Sequence, residues 1–178
     1  MHVHRGGVGI APPAIQAGTQ VAISVGLAGG LSPDIAPGTV VVATGIARAG
    51  ENPVNCDADW TDALLHAAQR SGLASRSGPI VTVPKMVTGE ARTTWAQDGF
   101  IAADMESALL LDIAPRVAVV RVILDAPHRE LSPRWRTPAR AALDPRLWSE
   151  AAWLVRHAPA YARRAAAVLA AAVDAAHA

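Results

Sequence analysis

The sequence predicts an α/β domain built on a parallel or mixed sheet, and two observations carry this prediction. Short β-branched runs alternate with helical patterns along the 178 residues. One of these runs, 117–124, is almost continuously apolar, which is typical of a strand buried on both faces. The length suffices for one domain with a substantial core, and no change in composition marks a second. We therefore predict a single domain over residues 1–178.

A glycine-rich turn at 26–31 is predicted between the first two strands, 20–25 and 39–44. A glycine-rich turn after a strand is also found in dinucleotide-binding sites. However, Ser32 and Pro33 lead into the second strand and not into the helix whose amino terminus would hold a pyrophosphate. A purely structural turn and a ligand-binding loop both remain compatible with the spacing of the glycines.

The middle of the chain continues this alternation. A loop is predicted over 45–57, followed by a helix that Asp57 or Asp59 caps and that ends at Gly72. A strand over 78–83 and a short helix that runs through Trp95 come next. Lys85–Val87 opens the loop before the short helix, after a break at Pro84. Met86 in this loop is compatible with a pocket wall or with a core filler.

Residues 101–127 place two carboxylates in one strand–helix–strand unit. Asp104 has N-cap chemistry for a helix over 105–114, which puts Glu106 in the first turn, and the following strand ends at Asp125. Ligands of open α/β sheets lie at the carboxyl ends of strands, so Glu106 and Asp125 are candidates to face one crevice. Each also has a structural explanation, since acids are favoured at helix starts and aspartate caps turns.

The composition excludes several classes of function. A net charge of +1 without aromatic-interleaved basic clusters argues against nucleic acid as a partner. The single Cys56 excludes an internal disulfide framework and fits a reducing, cytoplasmic compartment. His2 and His4 lack further ligands at metal spacing, so no metal is predicted. No signal peptide or transmembrane run is predicted either.

The order of these elements resembles that of the nucleoside phosphorylase and nucleosidase superfamily, which includes purine and uridine phosphorylases and methylthioadenosine nucleosidases. The resemblance covers about 20–131 and rests on A-A-D-M-E-S followed by R-V-I-L-D. Within the superfamily the chain most resembles the hopanoid-associated phosphorylases, the adenosylhopane nucleosidase type. This closer resemblance rests on GLAGGLSPDIAPGTVVVA, AADMES and RVILDAPHRELSP.

The resemblance implies a single three-layer domain with a central mixed, mostly parallel sheet flanked by helices. It also implies that amino-terminal strands are missing, because only residues 1–17 precede the glycine segment. In related hydrolases the group that holds the attacking water comes from those strands. We therefore expect an upstream extension of the chain to increase turnover. A helical tail is predicted over 146–177, with an interruption at Pro159.

The resemblance assigns roles to individual residues. Asp125 matches the general acid that protonates N7 of the departing purine, and Glu106 matches the acceptor of the ribose hydroxyls, with Met105 packed on the sugar. The residues that match the base site are Ala28, Gly29, Met86 and Val87. Leu124 replaces a serine that is common in related enzymes. No cofactor is implied.

The implied function is cleavage of the N-ribosyl bond of a purine nucleoside, with adenine release from a lipid-linked nucleoside such as adenosylhopane. Ser24 and Leu27 stand where phosphorylases of the family place an arginine and a hydroxyl residue around phosphate, which favours hydrolysis. A phosphate-dependent phosphorylase and a truncated member that only binds purine nucleosides remain alternatives. A dinucleotide oxidoreductase is a more distant one.

Two kinds of partner are predicted besides the nucleoside. The superfamily implies a homo-oligomer, specifically a dimer. The tail contains Trp135, Trp148 and Trp153 and, spread over residues 134–164, seven arginines: Arg134, Arg136, Arg140, Arg146, Arg156, Arg163 and Arg164. This pattern is compatible with peripheral contact to anionic lipid and, alternatively, with a solvated helix packed on the sheet.

Overall fold

The computed structural model describes residues 19–141 and 143–177. The strands are β1 Val21–Gly30, β2 Val40–Arg48, β3 Val54–Asn55, β4 Ser75–Thr82, β5 Ala102–Asp104 and β6 Arg116–Asp125. The α-helices are α1 Ala58–Arg70, α2 Glu90–Gln97, α3 Pro138–Ala141 and α4 Trp148–Ala176. Short 3-10 helices cover Ser107–Asp112, Pro133–Arg136 and Pro145–Leu147. The predicted features of residues 1–17 lie outside the described residues.

The six strands form one sheet in the order β3-β2-β4-β5-β1-β6, and β6 pairs in addition with β2. The sheet therefore closes on itself, with β3 attached outside the closed part. Strands β1 and β6, β2 and β4, and β4 and β5 run parallel, and the other pairs run antiparallel. This confirms the predicted α/β fold with a mixed sheet flanked by helices. Closure was not predicted.

Alternation along β6 explains why its sequence is apolar on both faces. Val117, Val119 and Ile123 belong to one buried cluster, which lies inside the closed sheet. Ala118, Val120 and Val122 belong to a second cluster together with residues of α1 and α4. The prediction of a strand buried on both faces is confirmed, and the long helix α4 is what covers its outer face.

The glycine-rich segment 26–31 is not a turn, contrary to prediction, because β1 continues to Gly30. Gly29 and Gly30 pair with Ala103 and Ala102 of β5, and β6 lies along the other side of β1. Two partners satisfy the backbone polar groups here, which keeps the glycines extended. The predicted loop 45–57 is likewise partly strand, since β2 extends to Arg48 and β3 follows.

Two helix predictions also need correction. In place of an α-helix over 105–114, a 3-10 helix covers Ser107–Asp112, because Asp104 closes β5 and its side chain accepts from the Ser107 N–H at 3.2 Å. Pro159 does not interrupt α4, which runs for 29 residues through it. Proline has no N–H, so the carbonyl of Val155 lacks its usual helical hydrogen bond from residue 159. Val155 and Pro159 are both exposed, so water can bind this carbonyl instead.

Candidate active site

Asp125 lies at the end of β6, where a β-bulge changes the register against β1. Ala28 pairs with Ile123, but Gly29 pairs with Asp125, so Leu124 is the extra residue. Bulges of this kind re-aim side chains and are common beside active sites. Asp125 is only 5% exposed. The residue that departs from the superfamily pattern, Leu124, is therefore the one that forms the bulge.

Gly29 lies directly against the carboxyl group of Asp125. A Cβ atom at position 29 would stand 3.1 Å from Oδ1 of Asp125 and 3.2 Å from Nη1 of Arg92. The backbone of Gly29 is not in the left-handed region. Packing against these two charged groups, and not backbone conformation, therefore requires the glycine here.

Arg92 reaches Asp125 from α2. Its Nη2 donates to Oδ2 of Asp125, its Nη1 donates to the carbonyl of Gly30, and its Nε donates to Oε1 of Glu130 at 2.9 Å. The Arg92 side chain is 2% exposed. Nothing in the sequence singled out Arg92, because a lone arginine in a short amphipathic helix is ordinary surface chemistry.

Burial raises the pKa of Asp125 above its ordinary value, and the Arg92 guanidinium opposes that rise without cancelling it. The negative charge of Glu130 acts in the same direction as burial. A raised pKa is what a carboxyl group needs if it is to hold a proton near neutral pH.

Met105 and Glu106 directly follow β5, on the other side of β1 from Asp125. Ala103 of β5 pairs with Gly29, which pairs with Asp125 on its opposite side. Two strand spacings separate Ala103 from Asp125, or about 10 Å, roughly the length of a nucleoside. Met105 and Glu106 are both half-buried. Strand register therefore places the end of β5, which Glu106 follows, two strands away from Asp125, although β5 and β6 run in opposite directions.

Met86 and Val87 lie on a loop that is anchored to Asp104 at its start and to Glu130 at its end. At its start, the N–H of Val83 donates to the carbonyl of Asp104 at 2.8 Å. At its end, the N–H of Gly89 donates to Oε1 of Glu130 at 2.7 Å. Val87 packs on the cluster that includes Phe100, whereas Met86 is half-buried.

Arg121 forms a second buried charge network, inside the closed sheet. Its Nε donates to Oδ2 of Asp104 at 2.8 Å, and its Nη2 donates to the hydroxyl groups of Ser24 and Ser107 at 2.7 and 2.6 Å. Burial alone would raise the pKa of Asp104, but the Arg121 charge and the hydrogen bonds from Ser107 and Thr82 outweigh it and hold that pKa below its usual value. An arginine in the middle of an apolar strand is the signal that could have identified this network.

Ser24 and Leu27, the two positions that depart from the phosphorylase pattern, lie in different surroundings. Ser24 takes part in the Arg121 network inside the sheet. Leu27 packs in the cluster beneath α1 and α4, on the outer face. Ser24 therefore faces the inside of the closed sheet, whereas Leu27 faces the helices outside it.

Other reactive groups in the described ranges offer no competing site. Among residues 19–141 and 143–177, no three histidine, cysteine or acidic side chains lie close enough to hold a metal ion. Burial, and secondarily the charge of Asp57, raises the pKa of Cys56 to about 11, so its thiol is not an effective nucleophile at neutral pH.

Comparison with known proteins connects this geometry to a family. A sequence model of the phosphorylase superfamily matches residues 14–173. The chain belongs to the phosphorylase superfamily. It is accordingly an enzyme that cleaves N-glycosidic bonds. Among curated proteins, no sequence matches the chain.

Solved structures of phosphorylase superfamily type resemble this fold. The 5'-methylthioadenosine/S-adenosylhomocysteine nucleosidase of Helicobacter pylori is 17% identical, with a TM-score of 0.65 over 88% of this chain and 69% of that one. The corresponding nucleosidase of Neisseria meningitidis is 18% identical, with a TM-score of 0.65 over 86% and 68%. The futalosine hydrolase of Helicobacter pylori is 16% identical, with a TM-score of 0.65 over 88% and 69%. At these identities the similarity establishes the fold alone.

Proposed function

We propose that this member of the phosphorylase superfamily cleaves the N-ribosyl bond of a purine nucleoside, with Asp125 as the acid that protonates the departing base. The observation that carries the proposal is the buried carboxyl group of Asp125, aimed by a bulge beside Gly29, with a raised pKa. Cleavage of such a bond passes through an oxocarbenium-like state. A base that is protonated at N7 leaves as a neutral molecule, which lowers that barrier.

Glu106 and Met105 are proposed to hold the ribose. A carboxylate can accept hydrogen bonds from both hydroxyl groups of a cis-diol, which fixes the ring and favours positive charge at the anomeric carbon. The position of Glu106 supports this role, because it lies three residues beyond Ala103, which pairs with Gly29 beside Asp125.

The base is proposed to lie between β1 and the loop that contains Met86 and Val87. Ala28 and Gly29 would contact it through their backbone, and Gly29 lets the base approach Asp125 closely. The loop is tied to Asp104 at one end and to Glu130 at the other, and these anchors support a position beside the base. This placement favours the pocket role of Met86 over that of a core filler.

Water is proposed as the nucleophile in preference to phosphate. A phosphate ion requires cationic groups whose donors are available to it. The donors of Arg121 are directed at Asp104 and two serines, and those of Arg92 at Asp125, Glu130 and a carbonyl. Both guanidinium groups therefore already have anionic partners.

Adenine is proposed as the departing base, in a lipid-linked nucleoside such as adenosylhopane. The names of the Helicobacter and Neisseria nucleosidases support an adenine nucleoside as the substrate class. The lipid part rests on the resemblance of the glycine segment and of RVILDAPHRELSP to hopanoid-associated proteins. The direct test is release of free adenine from adenosine, 5'-methylthioadenosine and a lipid-linked adenosine. A chain that binds these compounds without releasing adenine would be the binding-only alternative.

Glu106→Gln should weaken binding and slow cleavage for ribosides, because one acceptor for the diol becomes a donor. We expect a loss of about 10²-fold in kcat/KM for adenosine, near the cost of one charged hydrogen bond in binding and another in the transition state. With 2'-deoxyadenosine the loss should be smaller, since one of the two hydroxyl partners is absent. Equal losses with both substrates would contradict the assignment of Glu106 to the diol.

Peripheral membrane contact is a second proposal, and the exposed side of α4 favours it. Trp148 is 61% exposed and Val155 is 77% exposed one heptad further along. Arg146, Arg156 and Arg163 are exposed as well. No described helix is long and apolar enough to cross a membrane.

Several aromatic and basic groups of the predicted lipid-binding set are instead used inside the protein. The indole N–H of Trp135 donates to Glu150 at 2.8 Å, Arg129 stacks over Trp153 at 4.6 Å, and Arg164 binds the carbonyl of Gly38. The surface that remains for lipid is therefore the smaller one on α4. The homodimer remains a prediction.

The chain should sediment with vesicles that contain anionic phosphatidylserine and much less with neutral phosphatidylcholine vesicles. Three arginines near an anionic membrane surface contribute about 3 kcal/mol of binding free energy, which is roughly 10²-fold in partitioning at low salt. Val155→Ser should reduce the bound fraction, whereas Ala160→Ser, at an exposed position about 140° around the helix from Val155, is the control and should not. The absence of binding to anionic vesicles at low salt would reject this proposal.

A further inference from the structure

A buried clamp joins the candidate acid to the loop that covers the base site. Arg92 binds Asp125 and the carbonyl of Gly30 with its two terminal nitrogens, and it binds Glu130 through Nε at 2.9 Å. The same Oε1 atom of Glu130 accepts the N–H of Gly89 at 2.7 Å. One guanidinium thus connects the end of β1, the end of β6 and the start of α2.

This clamp is more than ordinary surface pairing. Arg92 is 2% exposed, and the Asp125 side chain is 8% exposed. Buried charges of this kind are costly unless each donor and acceptor is satisfied. Here one cation faces two carboxylates of different exposure, since the Glu130 side chain is 32% exposed and is reached by water.

We propose that Arg92 is a positioning residue for Asp125, and that Arg92 and Glu130 together govern how readily the Asp125 carboxyl group takes up the proton that it is to donate. The cation favours the ionised carboxylate, whereas Glu130 competes for the cation and also repels the charge of Asp125. Among the described residues, Arg92 on α2 and Glu130 after β6 are the charged groups that act on Asp125. The catalytic meaning of the clamp rests on the proposed function, but its effect on the proton does not.

The two partners must then act on Asp125 in opposite directions. Arg92→Gln removes the attraction and should raise the pKa of Asp125. Glu130→Gln removes the repulsion and leaves Arg92 to Asp125 alone, so it should lower that pKa. If the clamp were only structural, both variants would lose stability, and they would not shift the pKa of Asp125 in opposite directions.

The test is a carboxyl-carbon NMR titration of the whole chain labelled with ¹³C-aspartate. The Asp125 signal is assigned by its loss in Asp125→Asn. Wild type, Arg92→Gln, Glu130→Gln and the exposed control Arg76→Gln are compared, with the pH profile of adenine release measured in parallel. We expect the Asp125 titration and the alkaline limb of the profile to move to higher pH in Arg92→Gln and to lower pH in Glu130→Gln.

Shifts in the same direction, or no shift in either variant, would overturn the proposal. If Arg92→Gln does not fold, Glu130→Gln alone decides, because an unchanged or higher pKa in that variant contradicts the clamp. The outcome is separable from the proposed function. Opposite shifts in a chain that releases no adenine would keep the clamp and reject the nucleosidase, whereas adenine release with unmoved titrations would do the reverse.

Discussion

Asp125→Asn should reduce the rate of purine release by about 10²-fold or more, the usual effect of losing a positioned general acid. Binding of the nucleoside should remain within a few-fold of wild type, because the amide is close in size and can still accept from Arg92. The measurement is single-turnover release of adenine, with binding followed separately by calorimetry.

The matched control for Asp125→Asn is Asp98→Asn, which removes an exposed carboxylate at the end of α2. That variant should retain the wild-type rate. If Asp125→Asn releases adenine as fast as the parent while remaining folded, the proposed role of Asp125 is wrong.

Arg121→Met should destabilise the fold by about 3–5 kcal/mol, because it leaves the Asp104 carboxylate buried without its cation. For a chain of this length that corresponds to a loss of roughly 10 °C in Tm. The control is Arg48→Met, since Arg48 pairs with Asp112 at the surface, where both side chains are more than a third exposed. That pair should contribute about 1 kcal/mol or less.

The destabilisation should also depend on pH. The pKa of Asp104 is lowered in the folded state, so this carboxylate contributes stability above its unfolded pKa, about 3.9, and loses it as pH falls through the folded value. The difference between wild type and Arg121→Met, measured by urea unfolding, should therefore shrink below about pH 4. Equal losses for Arg121→Met and Arg48→Met at neutral pH would contradict the structural role of the network.

The sequence predicted the strands better than their closure. The apolar run 117–124 shows burial on both faces, because side chains alternate and both sets are apolar. Nothing local in it indicates that β6 also pairs with β2, since this contact joins segments about 80 residues apart in the sequence. The glycine segment is strand and not turn for a related reason, because strand pairing on both sides of β1 overrides its turn-like composition.

Only part of the candidate site, likewise, could be predicted from the sequence. Asp125, Glu106 and Gly29 could be identified from motifs, and strand register brings Gly29 beside Asp125 and beside the end of β5, which Glu106 follows. Arg92 could not, because its contact with Asp125 depends on how α2 packs. The bulge at Leu124 was equally hidden, since an extra residue in a strand changes the pairing without changing the apolar pattern.

The most direct test of the proposed hydrolysis follows both products when the chain is incubated with adenosine in phosphate buffer. Chromatography measures free adenine, and ³¹P NMR detects any sugar phosphate. We expect adenine and free ribose, at a rate that does not change when phosphate is omitted and that falls in Asp125→Asn. Ribose 1-phosphate as the sugar product would contradict the choice of water as nucleophile. If adenosine, 5'-methylthioadenosine and a lipid-linked adenosine all fail to release adenine, the proposed cleavage is wrong.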